Sequence, residues 1–366
     1  MSSTVLKEAD RVMTICNACR YCEGFCAVFP AMELRRTFSA ADLKYFANLC
    51  HNCRGCYYAC QYAPPHEFDL NVPKALGELR LATYAEFSWP AGLKGLFQNN
   101  GYLVALLAAL SVAVVMLLTL LFKGHAAFFG AHTGEGAFYR VVPYAAILLP
   151  FTALGVFILV SLWKGVVNLW RETGGKPLEP RDLNAHRQAI WDVLRLRYLE
   201  GGGEGCNYPD ERFSMIRRYF HHAVFYGFML CLASTTIAFF YDHFLGRPAP
   251  YPFWSWPVLL GTVGGLALLA GSGGMLYLKK HMDRAPASVE SFGMDIAFTG
   301  LLFLTSLTGM LVLMFRETAA MGTLLTVHLG FVLGLFLSMP YGKFLHAVYR
   351  YVALVRNALE QKRGGV

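Results

Sequence analysis

Charge is what this sequence has least of. Asp, Glu, Lys and Arg make up 15% of 366 residues while hydrophobic types make up 55%, where soluble domains carry about 25% charged residues. Too few charges are present to cover one water-soluble globule of this size. A signal-peptide pattern is also missing, since MSSTVLKEADRV has no apolar core behind a basic end, so the N-terminus is expected to stay in the cytoplasm with its cysteines reduced. No nucleotide-binding fingerprint, Walker motif, Gly-x-Ser-x-Gly or His-Glu-x-x-His occurs. The Gly-rich stretches Gly201–Gly205 and Gly271–Gly274 follow an amphipathic segment and lie inside an apolar run, respectively. Gly261, Gly264, Gly265, Gly271, Gly273 and Gly274 are therefore read as permitting close packing of helices or of a macrocycle.

What is present divides near residue 100. Before it the chain is polar and cysteine-rich; after it come six apolar runs, Gly101–Phe122, Val141–Trp163, His221–Tyr241, Pro257–Leu278, Ile296–Phe315 and Thr323–Gly342. Each is near the roughly 20 residues that cross a bilayer core as a helix. The expected fold is mainly α, a bacterial-ferredoxin-like two-cluster domain over residues 1–95 and a six-helix membrane bundle over 96–366. With the N-terminus inside, the inner segments hold 28 of the 32 Lys and Arg residues, leaving Lys123, Arg140, Arg247 and Arg316 outside. The formal charge of +8 thus marks cytoplasmic loops rather than a nucleic-acid partner, and the C-terminus is expected inside too. Within the inner loop 164–218, Pro180 followed by Leu183, Ile190, Val193 and Leu194 at near-helical spacing predicts an amphipathic helix over Arg181–Glu200, ended by Gly201–Gly203. It would lie on the bilayer or dock a soluble partner.

Eight of the ten cysteines crowd into residues 16–60. Cys16-x2-Cys19-x2-Cys22-x3-Cys26 recurs as Cys50-x2-Cys53-x2-Cys56-x3-Cys60, the bacterial ferredoxin run twice over. Three close thiolates wrap one cubane while the fourth of each run serves the other. Cys16, Cys19, Cys22 and Cys60 would hold one [4Fe–4S] cluster, and Cys50, Cys53, Cys56 and Cys26 the second. Ala27 and Gln61 stand where a proline normally follows each run, which bears on loop geometry more than on the ligand set. Zinc uses Cys-x2-Cys pairs too, but gives no reason for a third cysteine at the same spacing. Cys206 and Cys231 are expected to have no redox role.

Histidines inside or beside spans are functional candidates, because polar groups are costly there. His346 follows His328 by 18 residues, five turns and about 27 Å along one helix. His221 and His243, 22 residues apart, fall within about 40° of one face. This suits one or two bis-histidine b-type haems, the first on His221 and His346, the second on His243 and His328. His222 competes with His221, and His243 beside Asp242 also fits a headgroup position. His51, His66, His125, His132, His186 and His281 are read as surface or cluster-edge residues. Arg217, Arg218 and His222 are candidates for a quinone site.

His328 and the run from Pro340 through Lys343 to His346 resemble the haem-binding helix of the membrane gamma subunit of respiratory nitrate reductases, and Arg218 to His221 followed by Gly227 resembles its partner helix. The whole chain resembles more closely the tricarballylate-utilisation B, or CitB-type, family. Arg217 to His222, Ser234 to Thr236, Pro248 to Pro252 and Pro340 to His346 carry that resemblance. It implies a multi-pass protein of the bacterial inner membrane, an electron-transfer component of a flavoprotein:quinone system. Such a protein reoxidises the reduced flavin of a soluble FAD-containing dehydrogenase that converts tricarballylate to cis-aconitate, and passes the electrons to quinone. The alternatives are another carboxylate substrate, quinol oxidation feeding a soluble reductase, or a tricarboxylate transporter, which leaves the cysteines unexplained.

Overall fold

The computed structural model describes residues 3–97, 99–175 and 181–364. Five helices, α1 (Ser3–Cys19), α2 (Val28–Glu33), α3 (Ala40–Leu49), α4 (Gly55–Tyr58) and α5 (Val72–Phe87), build the cysteine-bearing end. Local chemistry starts them. The Ser39 hydroxyl accepts from the Asp42 amide while the Asp42 carboxylate accepts from the Ser39 amide, a capping box for α3. Asn71 accepts from the Lys74 amide, with Pro73 in the first turn of α5. Met13, Phe29, Phe46, Leu76 and Leu79 close the core between them.

Then come α6 (Asn100–Lys123), the short α7 (Ala126–Phe129) and α8 (Ala137–Val141), α9 (Tyr144–Glu172) and α10 (Leu183–Arg195). A two-stranded antiparallel ribbon, β1 (Cys206–Asn207) with β2 (Phe213–Ser214), precedes α11 (Ile216–His243), α12 (Trp256–His281), α13 (Val289–Phe315), α14 (Met321–Ser338) and α15 (Leu345–Gly364). Among the described residues six helices are long and apolar enough to cross a membrane. The fold is the mainly α arrangement expected, but several helices outrun the apolar runs. Helix α9 starts only after Pro143 and continues past Trp163 to Glu172, and α13 begins before Asp295.

Close approach explains the glycines. A Cβ on Gly264 would stand 2.8 Å from the Gly227 carbonyl oxygen on α11, and one on Gly330 would stand 2.5 Å from the Val112 Cα on α6. Gly261, Gly264, Gly265, Gly271, Gly273 and Gly274 all meet backbone or side chains of neighbouring helices, so helix packing is the role the geometry assigns them.

Two expectations are corrected. His328 and His346 do not share a helix: α14 ends at Ser338, a 3-10 turn covers Met339–Tyr341, and extended Gly342 leads into α15. Pro340, which cannot donate a backbone hydrogen bond, breaks the continuity on which the 18-residue spacing depended. Helix α10 ends at Arg195, where Leu196 turns left-handed (φ 47), well before Gly201. Its fully buried face is Ala185, Ala189 and Asp192; of the predicted stripe Val193 packs partly buried against the core, while Leu183 is 81% and Ile190 47% exposed. Asp182 caps it, and Pro180 lies outside the described residues.

One end of the bundle is clamped to the cysteine-bearing helices. Tyr349, Val352, Val355 and Leu359 of α15 enter the same core as α1, α3 and α5. Arg35, just past the end of α2, donates to Asp42 and Glu360, tying that turn to α3 and α15. The α12–α13 loop adds further ties: the Arg54 guanidinium donates to the Asp283 carbonyl at 3.0 Å and Tyr58 to its carboxylate at 2.7 Å.

Candidate cofactor-binding site

Two cavities share a wall in the cysteine-bearing end. Cys16, Cys19, Cys22 and Cys60 line the first, Cys26, Cys50 and Cys53 line the second, and Cys56 borders both. The last cysteine of each run has crossed to the other run's cavity. Left-handed backbone at Arg20 (φ 55), Asn52 (φ 53) and Arg54 (φ 70) curls the short loops so that successive cysteines face inward. Such conformations are costly outside glycine and gather where a site demands them. The amides of Asn52 and Tyr62 donate to the sulfurs of Cys50 and Cys60, each at 3.4 Å.

Electrostatics separates the two cavities. Burial, reinforced by neighbouring sulfurs, pushes the thiols of Cys16, Cys22 and Cys53 up to about 12, and those of Cys26 and Cys56 upward as well. Buried thiols that resist ionising alone are ones a cationic metal core ionises on binding. Among the described residues no three metal-ligating side chains converge on a single point. The sulfurs ring cavities instead, a spread suited to a multi-iron core. The first cavity has one arginine in its wall, exposed Arg20. Around the second, Arg80 and Arg350 both donate to the Cys50 carbonyl at 2.6 Å, and Arg217 donates to the carbonyls of Asn52 at 2.6 Å and His51 at 3.3 Å.

His221 and His346 meet each other, one helical turn from Arg217 and Arg350 respectively. Their ring centroids are 6.1 Å apart with planes at 74°. Two imidazoles on opposite sides of one iron would place their centroids about 6 Å apart, from metal–nitrogen bonds of about 2 Å and about 1 Å from each nitrogen to its ring centre. His346 Nδ1 lies 2.6 Å from the Lys343 carbonyl oxygen. A carbonyl only accepts, so Nδ1 carries the proton and Nε2 is left as the ligating nitrogen. His221 keeps a buried Nδ1 with no partner. Each histidine thus has a nitrogen with which it would hold a haem iron.

The other predicted residues are placed differently. His243 is exposed and stacks on Phe239 at 5.3 Å, while His328 Nδ1 meets the Thr308 hydroxyl at 3.1 Å with Gly309 against its ring. The structure does not bring His243 and His328 into ring contact. His222 packs on Tyr226, with ring centroids 5.7 Å apart. Arg218 is held by the Arg195 carbonyl at 2.6 Å and by Glu200 at 2.7 Å, and Arg217 is engaged by the cysteine loop. Of these three, His222 keeps a buried Nε2 with no hydrogen-bond partner, while both arginines are engaged by backbone or carboxylate oxygens. Cys206, expected in a loop, is fully buried in β1 and gives its thiol to the Leu199 carbonyl at 3.3 Å.

Sequence reasoning missed Arg54, Arg80 and Arg350, and also Asp295, whose carboxylate lies 2.5 Å from both Lys279 and Lys343. A sequence signal existed for Arg350 alone, which follows His346 by four residues, one helical turn, as Arg217 precedes His221.

Six candidate spans and a ferredoxin-like cysteine constellation define a multi-pass membrane protein suited to electron transfer. A family model described as citrate utilization protein B matches residues 96–366, and one described as citrate utilization protein B Fer4-like domain matches residues 9–86. The chain belongs to the CitB family. The Citrate utilization protein B of Escherichia coli is 46% identical over 359 residues, covering 98% of this chain and 93% of that protein. No solved structure matches the chain.

Proposed function

We propose that this chain takes electrons from the reduced flavin of a soluble FAD-containing carboxylate dehydrogenase, of the tricarballylate-oxidising kind, and delivers them to a membrane quinone. Two [4Fe–4S] clusters and b-type haem, when bound, supply one-electron steps between a two-electron donor and a two-electron acceptor. Cys16, Cys19, Cys22 and Cys60 would hold the first cluster and Cys50, Cys53, Cys56 and Cys26 the second. His221 and His346 would hold the haem iron. The observation that carries this reading is the sequence of sites in space. A cavity with half-exposed cysteines adjoins one whose Cys50 and Cys53 are 7% and 5% exposed, and that one is bonded through Arg217 and Arg350 to the helices bearing His221 and His346.

The first cavity is the entrance because solvent reaches it, with Tyr21 at its mouth 71% exposed. The cysteine-bearing end faces the cytoplasm on this reading, in keeping with 28 of the 32 basic residues falling on that side. A transporter has no use for eight cysteines around two cavities.

The test uses the full chain in vesicles with decyl-ubiquinone, mixed anaerobically with tricarballylate dehydrogenase whose FAD has been reduced by substrate. Return of oxidised-flavin absorbance that requires both chain and quinone is the expected result. Flavin that stays reduced, with labelled tricarballylate accumulating in vesicles lacking any donor, would replace the reading by transport.

A further inference from the structure

Four arginines gather on the loop that carries Cys50 and Cys53. Arg80 and Arg350 share the Cys50 carbonyl, and Arg217 takes the next two carbonyls, His51 and Asn52. Arg54, 1% exposed, lies in the loop itself, and its guanidinium stacks 4.5 Å over Tyr208, with Arg217 5.0 Å from the same ring. Among the described residues none of the four has a carboxylate within ion-pair distance; Arg54 reaches only the backbone oxygen of Asp283 and the sulfur of Met282. Two acidic groups lie on the bundle side: Asp283, whose carboxylate takes the Tyr58 hydroxyl at 2.7 Å and acts on Arg54, and Asp295, taken by Lys279 and Lys343. Gathering uncompensated cations in a protein interior is expensive unless an anion answers them. Among the described residues these two carboxylates face four guanidiniums and two ammoniums, and the group the four thiolates would hold is placed to answer the remaining charge. The first cavity has no such collar; Arg20, the arginine in its wall, is exposed and donates to the Asn17 carbonyl at 3.0 Å.

We infer that Arg54, Arg80, Arg217 and Arg350 form a cationic collar that raises the reduction potential of the cluster held by Cys26, Cys50, Cys53 and Cys56 above that of its neighbour, and so sets the direction of electron flow inward. The inference rests on the two-cluster reading above. A cluster gains one unit of negative charge on reduction, so nearby fixed positive charge favours its reduced form, while burial alone disfavours it. The second cavity is the more buried of the two. Without the collar its potential would be the lower one, and electrons would stay at the solvent-exposed cluster. With the collar, one electron given by the reduced flavin to the first cluster passes to the second; the first is oxidised by one electron, the second reduced by one, and no bond or proton moves. Arg217 and Arg350 reach the cluster loop from the helices that carry His221 and His346 one turn away, so the collar spans the gap to the next acceptor. These are positioning residues, acting through charge on a group they do not ligate.

The test is a redox titration of the anaerobically purified chain followed by electron paramagnetic resonance, with the second cluster identified as the signal lost in Cys50→Ala. Arg350→Gln and Arg80→Gln each keep an amide able to donate to the Cys50 carbonyl and remove one charge. The expected result is a negative shift of the second cluster's midpoint in both, with the first cluster's midpoint unmoved, and restoration by Arg350→Lys. Equal movement of both midpoints, no movement in either variant, or a lysine variant that behaves as the glutamine one would overturn the inference. Where Arg350→Gln assembles no second cluster, Arg80→Gln decides by the same criterion. Iron and acid-labile sulfide in the unaltered chain separate the two failures: too little for two cubanes sinks the two-cluster reading, and full content with unmoved potentials sinks only the collar.

Discussion

His221 and His346 face each other with ring centroids 6.1 Å apart, although one opens a membrane helix and the other follows the break after the last span. The break is what permits it. Had α14 run on past Pro340 as one straight helix, His346 would have continued along the axis of the span; the turn at Met339–Phe344 restarts the chain as α15 and lays His346 against α11. The Lys343 carbonyl in that turn fixes the imidazole through Nδ1.

Replacing His346 or His221 by alanine is expected to remove b-type haem absorbance while leaving the non-haem iron content unchanged. His243→Ala is expected to keep that absorbance, because its ring lies exposed on Phe239. Reduced-minus-oxidised spectra of the three variants check this, and haem retained in His346→Ala would eliminate the assignment.

The crossed cysteines make a pairwise prediction. Cys60→Ala should damage the same cluster as Cys16→Ala, and Cys26→Ala the same one as Cys50→Ala, although each pair spans two different runs. Paramagnetic resonance on the four variants sorts them into two groups, with about half the iron lost in each. Grouping by run instead of by cavity would contradict the geometry.

Asp295 is held between Lys279 and Lys343 in a mostly buried setting. Asp295→Asn leaves two ammonium groups without their carboxylate and is expected to cost about 3–5 kcal/mol. Thermal unfolding in detergent measures it. Asp295→Glu should recover part of the loss, and a neutral Asn variant would show the triad to be dispensable.

Helices α11 and α12 meet backbone to backbone at Gly227 and Gly264. Gly264→Val forces them apart and is expected to destabilise the bundle by about 1–3 kcal/mol. Because His221 lies on α11, haem occupancy should fall with it. Gly300, with nothing near its Cβ direction, is the control, and Gly300→Ala should leave both stability and haem unchanged.

Arg35, just past the end of α2, joins Asp42 of α3 and Glu360 of α15. Arg35→Ala is expected to cost about 3 kcal/mol and to loosen α15 from the cysteine-bearing end. Limited proteolysis should then cut first near the C-terminus; cleavage unchanged from the parent would show that the apolar contacts of Tyr349, Val355 and Leu359 suffice.

The parts legible in the sequence were those governed by spacing. Three-residue steps between cysteines and six runs of apolar residues have few physical readings, and the cavities and helices follow them. What failed depended on where helices stop. Pro340 and Gly342 ended α14 inside what read as one continuous face, so the phase relation between His328 and His346 had no helix to run along. Helix α10 turned its small residues, Ala185 and Ala189, inward because α15 packs close against them, leaving Leu183 and Ile190 outside. The arginine collar was hidden for another reason. Arg54, Arg80, Arg217 and Arg350 come from four separate elements, and only the folded chain shows that their guanidiniums converge on one loop.

Anaerobic purification of the full chain, followed by quantitation of iron, acid-labile sulfide and haem with a reduced-minus-oxidised spectrum, tests the central claim most directly. The account predicts about eight non-haem irons with matching sulfide, and b-type bands at one haem per chain. Iron and sulfide without haem would remove His221 and His346 from the electron path, and absence of both would contradict the account as a whole.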